Sequence, residues 1–200
     1  MNIAEVLQEQ CGQRPAQPSI IDRAERISFE GLERAAACAA AELAAAGLRP
    51  GDRALVFCPM SARLYVTLVG MFRLGVTAVF VDPSAGRTHL ERCCERAHPR
   101  AFVATPRAHA MRIVSPTIRR LPIKLAIGGW LPGTRSIARR AEGSGAQNRI
   151  ERCGSGDVAL LTFTSGSTGE PKAAVRTHGF LLAQHHVLAD ELHLRAGEID

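Results

Sequence analysis

The sequence predicts an α/β protein in which a largely parallel sheet is flanked by helices. Short apolar runs rich in β-branched residues, such as Arg53–Phe57 and Val76–Val81, alternate with helical segments such as Ser61–Leu74. Helices between successive apolar strands are typical of the crossover connections that join parallel neighbours. In a chain of 200 residues, of which 46% are hydrophobic and 22% charged, enough apolar side chains are present to bury a sizeable core.

The first fifty residues predict two helices and a small hairpin. A short amphipathic helix is expected over 3–10, and strands over 19–22 and 26–29 are expected to pair. A long helix should follow over Ser28–Ala46, with the serine as its N-cap and Gly47 as its C-cap. Because this helix is rich in alanine, its packing faces must lie close to their neighbours.

The remaining elements follow the same alternation. The run from Leu64 to Val81 is apolar enough to suggest a membrane span, but Arg73 would lie inside it, where a charge costs about 2.5–3.5 kcal/mol. A helix, a turn and a buried strand fit the run better, so no membrane span is expected. Further helices are predicted over 88–97 and 179–191, and further strands over 101–104, 125–127 and 157–163, with an exposed linker over 139–155.

The charge distribution and the aromatic content of the chain limit the classes of partner that it is expected to bind. Between Pro99 and Arg152 there are ten Arg and one Lys but only Glu142 and Glu151. Such a segment attracts nucleic acid, an anionic membrane or anionic small molecules, or it is a solvated Arg-rich surface, and the last interpretation is favoured. One Trp, one Tyr and seven Phe are too few for a surface that stacks bases, so nucleic acid is not expected as a partner.

The six cysteines indicate the compartment. None lies in a Cys-x-x-Cys pair or at zinc-finger spacing, and the N-terminus lacks the order of a signal peptide. Free thiols in a reducing cytoplasm are the simplest account, so a cytoplasmic location is predicted.

The most informative segment is Leu161-Thr-Phe-Thr-Ser-Gly-Ser-Thr-Gly-Glu-Pro-Lys-Ala-Ala-Val175. Its glycines allow backbone amides to face a ligand, its hydroxyls donate to phosphate oxygens, and Lys172 supplies a positive charge. The spacing excludes the common Gly-x-x-x-x-Gly-Lys-Ser/Thr nucleotide loop, and a flexible Ser/Thr/Gly linker is a poor alternative after an apolar strand. The candidate nucleotide-binding residues are Thr164, Ser165, Gly166, Ser167, Thr168, Gly169 and Lys172.

The order of these residues resembles the signature loop of the adenylate-forming (AMP-dependent synthetase/ligase) superfamily, which reads Thr-Ser/Thr-Gly-Ser/Thr-Thr-Gly-x-Pro-Lys after an apolar strand. Thr164 to Lys172 matches every specified position, although Ala173 stands where the family often has Gly. Two upstream segments, 27–32 and 72–83, are also similar to the family, and the likeness is weakest over 107–149. The resemblance implies the incomplete N-terminal domain of the adenylate-forming fold, similar to acyl-CoA synthetases and fatty-acyl-AMP ligases.

The resemblance also implies a reaction. A carboxylic acid would attack the α-phosphorus of ATP with Mg²⁺ present. The expected substrate is a fatty or other aliphatic acid. A thiol acceptor, CoA or a carrier protein, would then take the acyl group. The loop would hold the β- and γ-phosphates, Thr164 would also contact Mg²⁺, and the family's catalytic Lys would lie beyond Asp200. Most of the acyl pocket would be built from later residues too, so the chain alone is expected to be catalytically incomplete.

Three functions remain open at this stage: part of an adenylating enzyme, a non-catalytic nucleotide-binding module that needs a partner chain, or a remnant that binds no nucleotide. The predicted organisation is an α/β subdomain over 1–138, a linker over 139–156, and the start of an ATP-binding subdomain over 157–200. The histidines at 178, 185, 186 and 193 lack metal-site spacing and are expected on a helix surface. The pairs Arg119-Arg120 and Arg139-Arg140 either meet an acyl carrier protein or a phosphopantetheine arm or are solvated, and solvation is favoured.

Overall fold

The helices and strands follow the predicted alternation. The computed structural model describes residues 1–137, 149–165 and 170–193. Its helices are α1 (Ala4–Gln13), α2 (Phe29–Ala45), α3 (Ala62–Leu74), α4 (Arg87–Ala97), α5 (Met111–Val114), α6 (Pro116–Arg120) and α7 (His178–Glu191). Its strands are β1 (Pro18–Ile21), β2 (Arg26–Ser28), β3 (Arg53–Phe57), β4 (Thr77–Val81), β5 (Ala101–Ala104), β6 (Ile123–Ile127), β7 (Arg135–Ile137), β8 (Val158–Ser165) and β9 (Pro171–Thr177).

The main sheet has seven strands in the order β7-β6-β5-β3-β4-β8-β9, and β1 pairs with β2 in a separate antiparallel hairpin. All pairs in the main sheet are parallel except β8 with β9. The chain runs from β3 to β4 on one side and then crosses back to β5 on the other side. The predicted α/β class with a largely parallel sheet is therefore confirmed.

Each face of the sheet packs against its own layer of helices. Alternate strand residues such as Val56 and Val103 belong to a core shared with α2 and α3. Their neighbours, such as Leu55 and Phe102, belong to a second core shared with α4 and α6. Parallel strands buried on both faces are apolar throughout, which explains why these strands appear in the sequence as short uninterrupted apolar runs.

The contact between α2 and α3 is very close. A Cβ atom added to Gly70 of α3 would lie 2.8 Å from the Cβ of Ala39 and 3.1 Å from the backbone nitrogen of Ala40. The alanines of α2 thus allow α3 to approach to backbone distance, as the composition of α2 predicted. Ser28 caps α2 as expected, accepting a hydrogen bond from the backbone N–H of Gly31 at 3.1 Å.

The long apolar run that resembled a membrane span is a helix, a turn and a strand. Helix α3 ends at Leu74, and Gly75 takes a left-handed conformation with φ of 70° before β4 begins. Arg73 is 1% exposed and forms an ion pair with Glu33 of α2. Within the described parts of the chain, no helix has both the length and the apolar character needed to cross a membrane.

The middle of the chain contains more regular structure than the sequence predicted. Helices α5 and α6 and strand β7 were not expected, and β6 begins at Ile123 rather than at residue 125. These elements have three to five residues each, too few for a hydrophobic period to show. Residues 149–156 of the expected linker have no helix or strand, and residues 139–148 lie outside the described residues.

Candidate functional site

The segment singled out in the sequence includes the end of β8, the start of β9 and the connection between these two strands. Strands β8 and β9 are antiparallel, with Thr164 opposite Lys172 and Ser165 opposite Pro171. Directly opposite residues place their side chains on the same face of a sheet. Thr164 and Lys172 are both exposed, so the hydroxyl and the ammonium share one accessible face. Gly166, Ser167, Thr168 and Gly169 lie outside the described residues.

The end of β8 lies at the carboxyl edge of the parallel strands. β8 runs parallel to β4, with Val81 paired with Phe163. Asp82, which follows Val81, thus lies level with Thr164 on the adjacent strand. The Oδ1 atom of Asp82 accepts hydrogen bonds from the Ser84 hydroxyl at 2.7 Å and the Ser84 amide at 2.8 Å. These bonds lower the pKa of Asp82, so an exposed carboxylate stands beside the hairpin turn at neutral pH.

An arginine of α4 supports the C-terminal side of the turn. Arg96 donates from Nη1 to the carbonyl oxygen of Pro171 at 3.1 Å, and the same atom lies 3.6 Å from Oε2 of Glu170. Both ion-pair partners are more than half exposed, so the pair contributes little stability by itself. The bond to Pro171 fixes the backbone immediately before Lys172. No pattern in the sequence indicates this contact, which spans 75 residues.

The base of the hairpin leads directly into α7. Arg176 donates to the Thr162 hydroxyl across the two strands at 2.8 Å, and the Thr177 hydroxyl caps α7 by accepting from the Phe180 amide at 3.1 Å. The backbone N–H groups of His178 and Gly179 donate to the carbonyls of Asp157 and Ser155. The segment before β8, which leads into the hairpin, is therefore also hydrogen-bonded to the residues that follow β9.

The prediction that His178 lies on a helix surface is wrong. Its side chain is 2% exposed, its ring packs edge-on against Phe72 at 5.9 Å, and its Nδ1 atom accepts from the Ile3 amide at 3.2 Å. The residue occupies the first position of α7 and contacts Phe72 of α3 and Ile3, so it is buried, whereas most residues of the helix beyond it are exposed. His185, His186 and His193 are exposed, as predicted. Among the described residues, no group of three His, Cys, Asp or Glu side chains is placed to hold a metal ion.

An apolar cavity of about 610 Å³ opens at the same edge of the sheet. It lies beyond the ends of β3 and β4 and beside the segment that follows β5, with walls that include Phe57, Phe80 and Met111. This is where the chain order reverses around β3, and crevices at such reversals commonly bind ligands in α/β proteins. Arg107 is the single charged side chain among the described residues that line the cavity.

Comparison with protein families finds a match to the AMP-binding enzymes over residues 7–198. The chain is similar to an olefin beta-lactone synthetase of Stenotrophomonas maltophilia strain K279a, with 31% identity over all of this chain and 39% of that protein. It is also 30% identical to an L-proline–[L-prolyl-carrier protein] ligase of Pseudomonas fluorescens, over 84% of this chain and 33% of that protein. The chain thus spans between about a third and two fifths of the length of these relatives.

Solved structures with the same fold include the apo form of Mycobacterium smegmatis MbtA. The two superpose with a TM-score of 0.81 and 28% identity, over 98% of this chain and 37% of that one. Acetoacetyl-CoA synthetase from Streptomyces lividans superposes with a TM-score of 0.84 over 99% of this chain and 34% of that one, at 23% identity, which is a likeness of fold. The described architecture is therefore that of the N-terminal domain of adenylate-forming enzymes.

Proposed function

The chain belongs to the family of AMP-binding enzymes, which are ATP-dependent ligases, and on that premise we propose that it supplies the polyphosphate site of an AMP-forming ligase that activates a carboxylic acid. The observation that carries the proposal is the register of β8 and β9. In this register Thr164 lies opposite Lys172, and the segment that connects the two strands is rich in Gly, Ser and Thr.

The chemistry of the turn suits a polyphosphate. Lys172 provides a compact positive charge, and Thr164 and its neighbours provide hydroxyl donors. Amides exposed by Gly166 and Gly169 would add donors without a Cβ in the way. Such groups act by holding the β- and γ-phosphates while the reaction takes place at the α-phosphorus, and positioning of this kind contributes much of the rate in phosphoryl chemistry.

In the proposed reaction a carboxylate oxygen of the acid forms a bond to the α-phosphorus of ATP. The bond from that phosphorus to its bridging oxygen breaks, and pyrophosphate leaves with the electron pair. A thiol of CoA or of a carrier protein then attacks the acyl carbon and releases AMP. Residues 157–200 would begin the ATP-binding subdomain, after a first subdomain over 1–138 and a linker over 139–156. We infer an aliphatic acid because the neighbouring cavity at the sheet edge is apolar.

The side-chain oxygens at this edge of the sheet are also suitable ligands for Mg²⁺. Magnesium prefers oxygen ligands and usually binds through one or two protein oxygens together with waters and substrate phosphates. The Thr164 hydroxyl is such an oxygen, and the exposed carboxylate of Asp82 belongs to the residue that follows Val81, the partner of Phe163 in the adjacent strand. The ion would neutralise negative charge on the phosphates, and these two side chains would orient it.

The test is the affinity of the 200-residue chain for pyrophosphate and for MgATP, measured by titration calorimetry. A hydrogen bond to a charged group contributes about 1.5–3 kcal/mol, so Lys172→Ala should weaken binding by roughly tenfold to a hundredfold. Lys172→Arg should retain part of the affinity. Arg26→Gln, an exposed residue of β2, removes the same charge far from the turn and should leave the affinity within about twofold.

The two alternatives give different results. A remnant that binds no nucleotide would show no affinity for pyrophosphate, either as the unaltered chain or as the Lys172→Ala variant. A non-catalytic module would bind, but it would fail to exchange labelled pyrophosphate into ATP when joined to the downstream part of a related ligase. Equal affinities of the Lys172→Ala chain and the unaltered chain would exclude the proposed site.

A further inference from the structure

A second cavity lies near the other end of the sheet from the hairpin, beside β5, β6 and β7. Its volume is about 570 Å³, and its apolar walls are Pro106, Ala110, Ile113, Leu131 and Pro132. Volumes in this range are typical of sites for small organic molecules. Three further residues line the cavity and are polar: His109, Arg112 and Arg119.

The cations around this cavity have no acidic counterpart nearby in sequence. Between Thr105 and Ile137 there are five Arg and one Lys, and neither Asp nor Glu. Arg112 and Arg119 take part in none of the ion pairs found within the described residues. Burial is the main cause that lowers the pKa of Lys124, and repulsion from the positive charge of the nearby Arg112 adds to it. An anion placed here would relieve that repulsion.

His109 presents an unmatched acceptor at the same cavity. The side chain is 4% exposed, and its ring packs edge-on against Phe102 at 5.0 Å. Nε2 lies 3.0 Å from the carbonyl oxygen of Leu125 and donates to it, which leaves Nδ1 as an acceptor. Nδ1 is buried and has no hydrogen-bond partner among the described residues. Buried polar atoms without a protein partner are rare in folded proteins and are commonly hydrogen-bonded to an ordered water or a bound group.

The opposite wall of the cavity is well fixed. The Thr134 hydroxyl donates to the carbonyl oxygen of Leu131 at 2.8 Å, and its oxygen accepts from the Leu131 amide at 3.2 Å. The Arg112 guanidinium reaches towards this turn, since Nη2 lies 3.4 Å from the point that a Cβ on Gly133 would occupy. The cavity therefore combines an ordered apolar wall with two arginines in its lining, one of which reaches that wall.

We propose that this cavity binds an organic phosphate. The phosphate would lie between the guanidinium groups of Arg112 and Arg119, which form paired hydrogen bonds to such oxygens. The apolar part of the ligand would lie against Ile113 and Leu131, beside the ring of His109. The site is independent of the proposed polyphosphate turn, because the two lie on opposite sides of β3 in the sheet.

The probe is phenyl phosphate, compared with inorganic phosphate by calorimetry on the chain carrying Lys172→Ala, so that the hairpin turn contributes little. Phenyl phosphate should bind more tightly than inorganic phosphate, and binding should shift the ring signals of His109 in NMR spectra. Arg112→Gln and Arg119→Gln should each weaken binding about tenfold or more. Arg120→Gln is the matched control, since Arg120 is exposed in the same short helix and does not line the cavity. It should change the affinity less than about twofold.

Three results would overturn the proposal. One is an equal loss of affinity in the Arg119→Gln and Arg120→Gln chains, which would indicate diffuse attraction to positive charge. Another is equal affinity for phenyl phosphate and inorganic phosphate. The third is tighter binding of poly-glutamate than of phenyl phosphate, which would indicate a surface for an acidic protein. Circular dichroism of each variant, with an unchanged melting temperature, ensures that a lost affinity reflects the site.

Discussion

At the scale of single residues, two buried histidines make the stability of the fold dependent on pH. Burial is the main cause that lowers the pKa of both His109 and His178, although the nearby Asp157 opposes it at His178. The unfolded chain then binds more protons than the folded one below the ordinary pKa of 6.5. Stability is complete above that pH and is lost as the pH falls towards the lowered values, by at most about 1.4 kcal/mol per pH unit for each histidine.

We therefore expect the free energy of unfolding, measured in urea, to decrease between pH 7.5 and pH 5.5. His178→Gln retains an acceptor for the Ile3 amide but cannot titrate, so it should reduce this slope. His185→Gln changes an exposed residue of the same helix and should leave the slope as it is. A slope that is identical in all three chains would mean that His178 does not titrate with folding.

Functional residues could be predicted from the sequence where they form a motif of consecutive residues. Thr164 and Lys172 were identified because the turn between them has a characteristic composition and follows an apolar strand. The contacts of Arg96 with Pro171 and of His178 with Ile3 could not be predicted, because the partners lie far apart along the chain. A lone arginine near a helix end and a lone histidine after a strand carry no pattern that would indicate such contacts.

At the scale of elements, the pairing of α2 with α3 depends on the absence of a side chain at Gly70. Replacing it with alanine should destabilise the fold by about 1–3 kcal/mol, because the new Cβ would overlap Ala39 and the backbone of Ala40, and the helices would have to separate. The change would be measured as a decrease in the urea midpoint.

Gly12 provides the control for this substitution. It lies in α1, is exposed, and has nothing within 4 Å of an added Cβ. Gly12→Ala should stabilise the protein slightly, by up to about 1 kcal/mol, since alanine is the better helix former. If both substitutions were stabilising, the close approach of the two helices would be disproved.

The length of an element explains whether the sequence predicted it. Helices α2 and α3 have 17 and 13 residues, long enough for capping residues and apolar periodicity to be recognised. Strand β7 has three residues and gains its place by pairing with β6. Its formation depends on a neighbour that is already in the sheet, which is a tertiary cause that a local pattern does not contain.

At the scale of the whole molecule, the N-terminal residues hold together segments that are distant in sequence. Asn2 is fully buried, and its Nδ2 atom donates to the carbonyl oxygens of Phe72 at 2.6 Å and Glu151 at 3.0 Å. Ile3, next to it, donates to His178 at the start of α7. The end of α3, the segment before β8 and the helix after β9 therefore meet at two consecutive residues.

Asn2→Ala should lower the free energy of unfolding by about 1–3 kcal/mol, because it leaves the carbonyl oxygen of Glu151 without a donor and removes one of the two donors to the carbonyl oxygen of Phe72. Amide exchange in β9 and at the start of α7 should become faster, since these elements are held through the same junction. Gln13→Ala, which removes an exposed bond to Glu9, should change stability by less than about 0.5 kcal/mol. If the two substitutions had equal effects, or if exchange in β9 stayed unchanged, the N-terminal residues would not support the hairpin, and the polyphosphate turn would depend on β4 and α4 alone for its position.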